Sequence, residues 1–104
     1  MKVLISPGYG AGWSVWNDPN IAFDRRLIEA FERGISKEDM EKLCVDCGYV
    51  DTYGEPPYMG GFKNLQVVEI PNGSIFKIRE YDGSEYIEYF HEDEWYTAEG
   101  EYYI

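Results

Sequence analysis

Histidine occurs once in this chain, at position 91, and cysteine twice, at Cys44 and Cys47. Two thiols do not make a disulfide framework in a chain of 104 residues. A lone histidine likewise leaves little for a zinc centre, which takes about four ligands. Long apolar runs are missing too. Val3-Leu4-Ile5 stops at Ser6-Pro7-Gly8, far short of the roughly 20 residues of a membrane span or the core of a secretory signal. Basic residues are scarce: 9 Lys and Arg stand against 20 Asp and Glu, a formal net charge of −11. That balance repels nucleic acid and anionic membranes and attracts cationic protein surfaces. The expectation is a soluble cytoplasmic protein with no direct nucleic-acid ligand and no membrane association.

Apolar material is plentiful, at 44% of residues with 17% aromatic. This is enough for one core and a single domain spanning 1–104. Lys2–Ile5 reads as a buried first strand. It runs into a glycine-rich loop, Gly8-Tyr9-Gly10-Ala11-Gly12, that carries Trp13 and Trp16 just beyond. Asp18-Pro19 offers a helix cap and first-turn proline, or more loop. Phe23, Leu27, Ile28 and Phe31 lie on one helical face, and Gly34 stops that helix. Ser36 caps a second helix, with Asp39 at the capping-box position. Met40, Leu43, Cys44 and Cys47 form its apolar stripe, and Gly48 ends it. Two helices so joined make an αα-hairpin.

From Leu65 the apolar period becomes two. Pro71-Asn72-Gly73 and Asp82-Gly83 are hairpin turn signals. Pairing through them puts Val68 opposite Phe76, Ile78 opposite Ile87, Phe76 opposite Tyr89 and Lys77 opposite Glu88. Val68, Ile70, Phe76, Ile78, Ile87 and Tyr89 then share one face, and Glu69, Lys77, Arg79, Tyr86, Glu88 and Phe90 the other. Trp95–Thr97 and Glu101–Ile104 are candidates for a fourth and a fifth strand. The fold expected is α+β: an N-terminal strand, a helical hairpin, then an antiparallel β-meander of three to five strands.

No catalytic constellation stands out. Gly8-x-Gly10-x-Gly12 follows a strand, but its spacing is not the dinucleotide fingerprint and no Lys-Ser or Lys-Thr follows it. Cys44-x-x-Cys47 sits in the last turn of its helix, where the dipole disfavours a thiolate. His91 is surrounded by carboxylates with no nucleophile beside it. No enzyme activity, cofactor or metal is expected.

Charge and aromatic content instead concentrate in one stretch. Between Glu69 and Ile104 lie ten acidic residues and two basic ones, with six of the ten tyrosines. Carboxylates two residues apart on a strand stand in rows about 6.6 Å apart, a spacing that imitates a nucleic-acid backbone. Glu80, Asp82, Glu85 and Glu88, followed by Glu92, Asp93, Glu94, Glu99 and Glu101, are expected to meet Lys and Arg of a partner. Tyr86 and Phe90 would supply the anchors. A different class of reading uses the N-terminal loop: Tyr9, Gly10, Gly12, Trp13, Trp16 and Tyr58 would form an aromatic pocket for a nucleotide or cyclic nucleotide, with glycine N–H groups receiving the anion.

A small, very acidic α+β chain without an enzyme motif resembles the phage-encoded inhibitors of bacterial defence, anti-CRISPR proteins and DNA mimics among them. The opening Met1-Lys2-Val3-Leu4-Ile5-Ser6-Pro7-Gly8-Tyr9-Gly10-Ala11-Gly12-Trp13 is similar to that of uncharacterised phage proteins. The resemblance implies a host-cytoplasmic inhibitor that occupies the basic nucleic-acid-binding surface of a bacterial effector protein. The chain is expected to be a monomer, or an edge-paired homodimer should the strand at Leu65–Ile70 or Trp95–Thr97 be exposed. Other members of that type sequester nucleotide signals, and a few are enzymes.

Overall fold

A strand that is apolar on both faces must be covered on both. The first strand, β1 (Lys2–Ile5), has Val3, Leu4 and Ile5 all buried. The computed structural model describes residues 1–90. After β1 come α1 (Arg25–Glu32), α2 (Lys37–Asp46), β2 (Gln66–Glu69), β3 (Phe76–Tyr81) and β4 (Ser84–Tyr89), with short 3-10 turns at Ser14–Trp16, Pro19–Ala22 and Phe62–Asn64. The class is α+β.

β1 pairs antiparallel with β2, setting Val3 opposite Val68 and Leu4 opposite Val67. Alternation along the two strands then feeds two cores. Leu4 and Val67 join Trp13, Ile21, Leu27, Ile28, Met40, Cys44 and Met59 on the helical side. Val3, Ile5, Val68 and Ile70 join Phe76, Ile78, Ile87 and Tyr89 of the β3–β4 hairpin. The β1–β2 ribbon is therefore the middle layer, with helices on one face and a hairpin on the other.

The β3–β4 register is the one read from the sequence: Phe76 opposite Tyr89, Lys77 opposite Glu88, Ile78 opposite Ile87. The meander is not. β2 does not pair with β3, and the four strands form two separate two-stranded sheets. Val68 faces Val3 instead of Phe76. The reason is that Val67 and Val68 are both apolar and point to opposite faces. A hairpin with one wet face would waste one of them, whereas β1 places each against a core. Pro71 closes a turn onto Ser74 (3.1 Å), and, having no N–H of its own, it ends the ladder. The strands proposed at Trp95–Thr97 and Glu101–Ile104 lie outside the described residues.

Both helices sit where the periodicity puts them. Ser36 caps α2 by accepting the Asp39 N–H at 3.1 Å. Asp18 caps only the 3-10 turn Pro19–Ala22, and Phe23 precedes the helix, its ring 6.2 Å from that of Phe76. The cap of α1 is Asp24. Its carboxylate accepts the Arg26 N–H (2.9 Å) and guanidinium (2.7 Å) and the Tyr49 hydroxyl (2.7 Å), which ties the chain after α2 to the start of α1.

Arg26, and after it Tyr49, hold the Asp24 carboxyl well below the usual carboxylate range against the opposing effect of burial. A depressed pKa stabilises the fold at neutral pH; that contribution is full above the unfolded value of ~3.9, starts to decline there, and is lost only as pH falls on through the much lower folded-state value. Asp24→Asn keeps the capping oxygen but loses the charge. It should cost about 1–2 kcal/mol at pH 7 and nearly as much at about pH 3.5 in urea unfolding, because the folded-state carboxyl is still ionised there. A penalty already gone at about pH 3.5 would show that the folded state does not hold the Asp24 carboxyl below its ordinary range.

Candidate functional site

Glu85 has the same strand parity as Ile87 and Tyr89, so its side chain enters the inner side of the hairpin. There it is 1% exposed. Oε1 accepts the Ser6 N–H (2.9 Å), and Oε2 accepts the Trp13 N–H (3.1 Å), the Val15 N–H (3.0 Å) and the Ser14 hydroxyl (3.4 Å). The backbone joins in: the Glu85 N–H donates to Ser6 O (2.9 Å), and the Ser84 hydroxyl to Pro7 O (2.6 Å). Burying a carboxylate costs several kcal/mol, and charge-assisted hydrogen bonds return about 1.5–3 kcal/mol each. Three backbone amides are enough to balance the cost. Glu85 is thus a correction to the acidic row: it is an internal clamp between β4 and the N-terminal loop, closed to any partner.

The clamp holds the glycine loop on the tip of the hairpin. The Gly10 N–H donates to Asp82 O, and the Gly12 N–H to Gly83 O (2.9 Å). Asp82 and Gly83 take the positive φ values (50° and 83°) that a two-residue hairpin turn requires. The Trp16 indole lies across Gly12 and Gly83. A Cβ on Gly12 would collide with the ring, and one on Gly83 would come within 2.9 Å of it. The Tyr58 ring stands 5.4 Å from the indole, tilted by 46°. Tyr58 is fixed by its hydroxyl to Gly10 O (3.1 Å) and by the Asn17 side chain, which bonds both its carbonyl (3.0 Å) and its N–H (2.9 Å).

The result is a rigid apex that displays aromatic rings. Tyr9 is 75% exposed, Tyr81 72%, Tyr58 46% and Trp16 45%. Tyr9 and Tyr81 meet edge to face with centroids 6.4 Å apart. The segments that build the apex, 8–18, 49–58 and 80–84, contain Asp18, Asp51, Glu55, Glu80 and Asp82 and no Lys or Arg. Acid and aromatic are interleaved here, at the tip.

They are not interleaved on the hairpin's outer face. Lys77 stands opposite Glu88, and Arg79 bonds Glu88 at 3.3 Å beside the half-exposed Tyr86 and Phe90, so that face carries both signs. Glu80 accepts the Gly83 N–H (2.8 Å) and braces the turn, while Asp82 stays exposed. Glu92, Asp93, Glu94, Glu99, Glu101 and His91 lie outside the described residues.

The nucleotide-pocket set is corrected at three positions. Trp13 is fully buried in the helical core, its Nε1 without a partner among the described residues. The Gly10 and Gly12 amides are spent on the hairpin turn, and the neighbouring Trp13 and Val15 amides on Glu85. The anion this loop can hold is already supplied by the chain itself. Tyr9, Trp16 and Tyr58 remain together on the surface. Tyr81, Asp18 and Asp51 were not singled out by sequence reasoning. Tyr81 had a signal, as the residue entering the Asp82-Gly83 turn.

Cys44 is buried, and burial foremost pushes its thiol up to about 12, with Cys47 and the acidic side chains nearby adding to it. Burial also raises Cys47. Neither offers a thiolate at neutral pH. Among the described residues no group of His, Cys, Asp and Glu is placed to hold a metal ion, and no helix is long and apolar enough to cross a membrane. A cavity of about 530 Å³ beside α1 is lined by side chains already paired with each other, Lys2 with Glu32 (2.8 Å) and Arg25 with Glu29 (3.8 Å). No protein family, curated protein or solved structure matches this chain.

Glu85→Gln tests the clamp. A carboxamide offers one acceptor oxygen where the site presents donors to two, so an NH2 group must face a backbone N–H. The variant should lose about 2–4 kcal/mol, a fall in Tm on the order of 10 °C or more. An unchanged Tm would mean that the four contacts hold nothing.

Proposed function

We propose that this protein is a non-enzymatic, stoichiometric inhibitor of the anti-defence type, which binds the basic nucleic-acid-binding surface of a bacterial effector protein through its apex. One observation carries the reading: the exposed rings of Tyr9, Trp16, Tyr58 and Tyr81 stand on a braced tip whose charged residues are all acidic. Tyrosine and tryptophan supply large contact area at low entropic cost, and glycine and serine around them resemble the composition of evolved binding loops. The net charge of −11 draws the protein toward cationic grooves and raises the association rate, and the rings slow dissociation. Nucleic acid itself is repelled by the same charge.

The anionic-ligand reading has lost its donors and is not carried further. The row of carboxylates first expected along the sheet is replaced by the apex acids, Glu80 and Asp82 with Asp18, Asp51 and Glu55.

Immobilised protein, incubated with bacterial lysate, should retain a basic nucleic-acid-binding protein at about one-to-one stoichiometry. Retention should weaken steeply with salt and be competed by the partner's own nucleic acid. Tyr9→Ala with Tyr81→Ala should reduce affinity by about 30-fold or more, the scale of a hot-spot loss of ~2 kcal/mol. Val45→Ala on the exposed side of α2 serves as the control. Binding indifferent to both the apex substitutions and salt, or turnover of the partner at sub-stoichiometric amounts, would overturn the proposal.

A further inference from the structure

Beside the apex, an open pocket of about 310 Å³ is lined by Trp16, Asp18, Tyr49, Val50, Asp51 and Pro57, among others. We propose that this pocket receives the guanidinium of an arginine side chain from the partner protein. The inference deepens the reading of the apex as a protein-binding surface and rests on it.

Three features select that occupant. Trp16 provides an indole, the side chain that best attracts a cation over its ring, and Arg is the cation that most often stacks there. Asp18 and Asp51 supply negative charge at two separate points of the wall. Each uses a single oxygen within the protein: Asp18 Oδ1 accepts the Asn20 N–H (2.9 Å), while Asp51 Oδ1 accepts the N–H groups of Tyr53 (2.8 Å) and Glu55 (2.9 Å). The second oxygen of each has no partner among the described residues. A planar fork of N–H donors suits two separated carboxylate oxygens better than a point-like ammonium does.

The walls are also set in advance. Trp16 lies against Gly12 and Gly83, Asn17 is locked to the backbone of Tyr58, and the Tyr49 hydroxyl is tied to Asp24 at 2.7 Å. An arginine entering the pocket orders little beyond itself, which is what lets a single side chain bind measurably. Local charge agrees. Tyr49 is pushed up to about 12, chiefly by burial and the hydrogen bond to Asp24, with the charge of Asp18 adding to it. The nearest competing cation, Arg26, is neutralised by Asp24 at 2.7 Å. In size the pocket lies at the low end of ligand sites, roughly 300–1,000 Å³, with room for one long side chain.

The test uses a peptide, so that it reads the pocket apart from the whole interface. Isotope-labelled protein is titrated with acetyl-Gly-Arg-Gly-amide and with the same peptide carrying citrulline, the uncharged isostere, or lysine. The readouts are the Trp16 indole N–H resonance, assigned from a Trp16→Phe spectrum, and the amides of residues 49–52. The arginine peptide should shift both saturably, and the citrulline and lysine peptides should bind about tenfold and a few-fold more weakly. Asp18→Asn with Asp51→Asn keeps the internal acceptor oxygen of each side chain and should weaken arginine binding about tenfold at unchanged Tm. Glu38→Gln with Glu41→Gln on α2 removes the same total charge and should leave it within about twofold. Equal binding of citrulline or lysine, an equal effect of the α2 pair, or no saturable shift at Trp16 would each overturn the assignment. Should the pocket fail while Tyr9→Ala with Tyr81→Ala still abolishes partner capture, the apex reading survives and only the arginine receptor is lost.

Discussion

One buried carboxylate organises this protein. Glu85 reaches from β4 to the amides of Ser6, Trp13 and Val15, residues that lie on either side of the glycine loop. Among the described residues nothing else joins the hairpin, the end of β1 and that loop at a single point. A hydrophobic residue at position 85 would leave those amides buried and unpaired, at ~1–3 kcal/mol each, so an acid is required there by the backbone and not by a ligand. The balance between desolvation and hydrogen bonding leaves little net stability. What the clamp secures is one geometry, with the loop seated on the hairpin tip and Trp13 turned into the core.

Rigidity at the apex follows. A loop with glycine at positions 8, 10 and 12 has large conformational entropy when unrestrained. Here the Gly10 and Gly12 amides are fixed to the turn, and Gly12 has no side chain because the indole of Trp16 occupies that space. The glycines serve close packing of backbone and ring, and the exposed tyrosines inherit a fixed platform. Ordering costs that an unbraced loop would incur on binding are met on folding.

Much of this was legible in the residues. Period-two alternation and the Asp82-Gly83 turn set the β3–β4 register, and that register already assigned Glu85 to the inner face with Ile87 and Tyr89. Reading Glu85 as a surface acid let composition override parity. The helices were legible because their apolar stripes and the Ser36 cap are local signals. The partner of β2 was not, since pairing with β1 spans more than sixty positions of chain and local turn chemistry at Pro71-Asn72-Gly73 favours a hairpin. The adjacent Val67 and Val68 were the only hint that both faces would be covered. At the site, Tyr9, Trp16 and Tyr58 lie on segments that meet at the apex, Trp16 against Tyr58 and Tyr9 against Tyr81. Tyr81 and Asp51 join Tyr9 and Trp16 only through the fold, from separate segments, whereas Asp18 follows Trp16 by two residues.

Net charge becomes informative only after the structural acids are set aside. Glu85 is consumed by the clamp, Asp24 by Arg26 and Tyr49, and Glu88 by Arg79. These carboxylates count toward −11 but meet their partners within the chain. Lys77 and Arg79 also sit on the face where an acidic row had been expected, so that face carries no single sign. The apex acids are different. Asp18, Asp51, Glu55, Glu80 and Asp82 have no basic residue in their own segments, and Asp18 and Asp51 each keep an oxygen open. At physiological ionic strength the Debye length is about 8 Å, so a docked cation responds to these few groups and scarcely to acids elsewhere. In the proposed binding mode the overall charge governs how often partners meet, and the apex, with its fixed rings and unspent carboxylate oxygens, governs which of them stays.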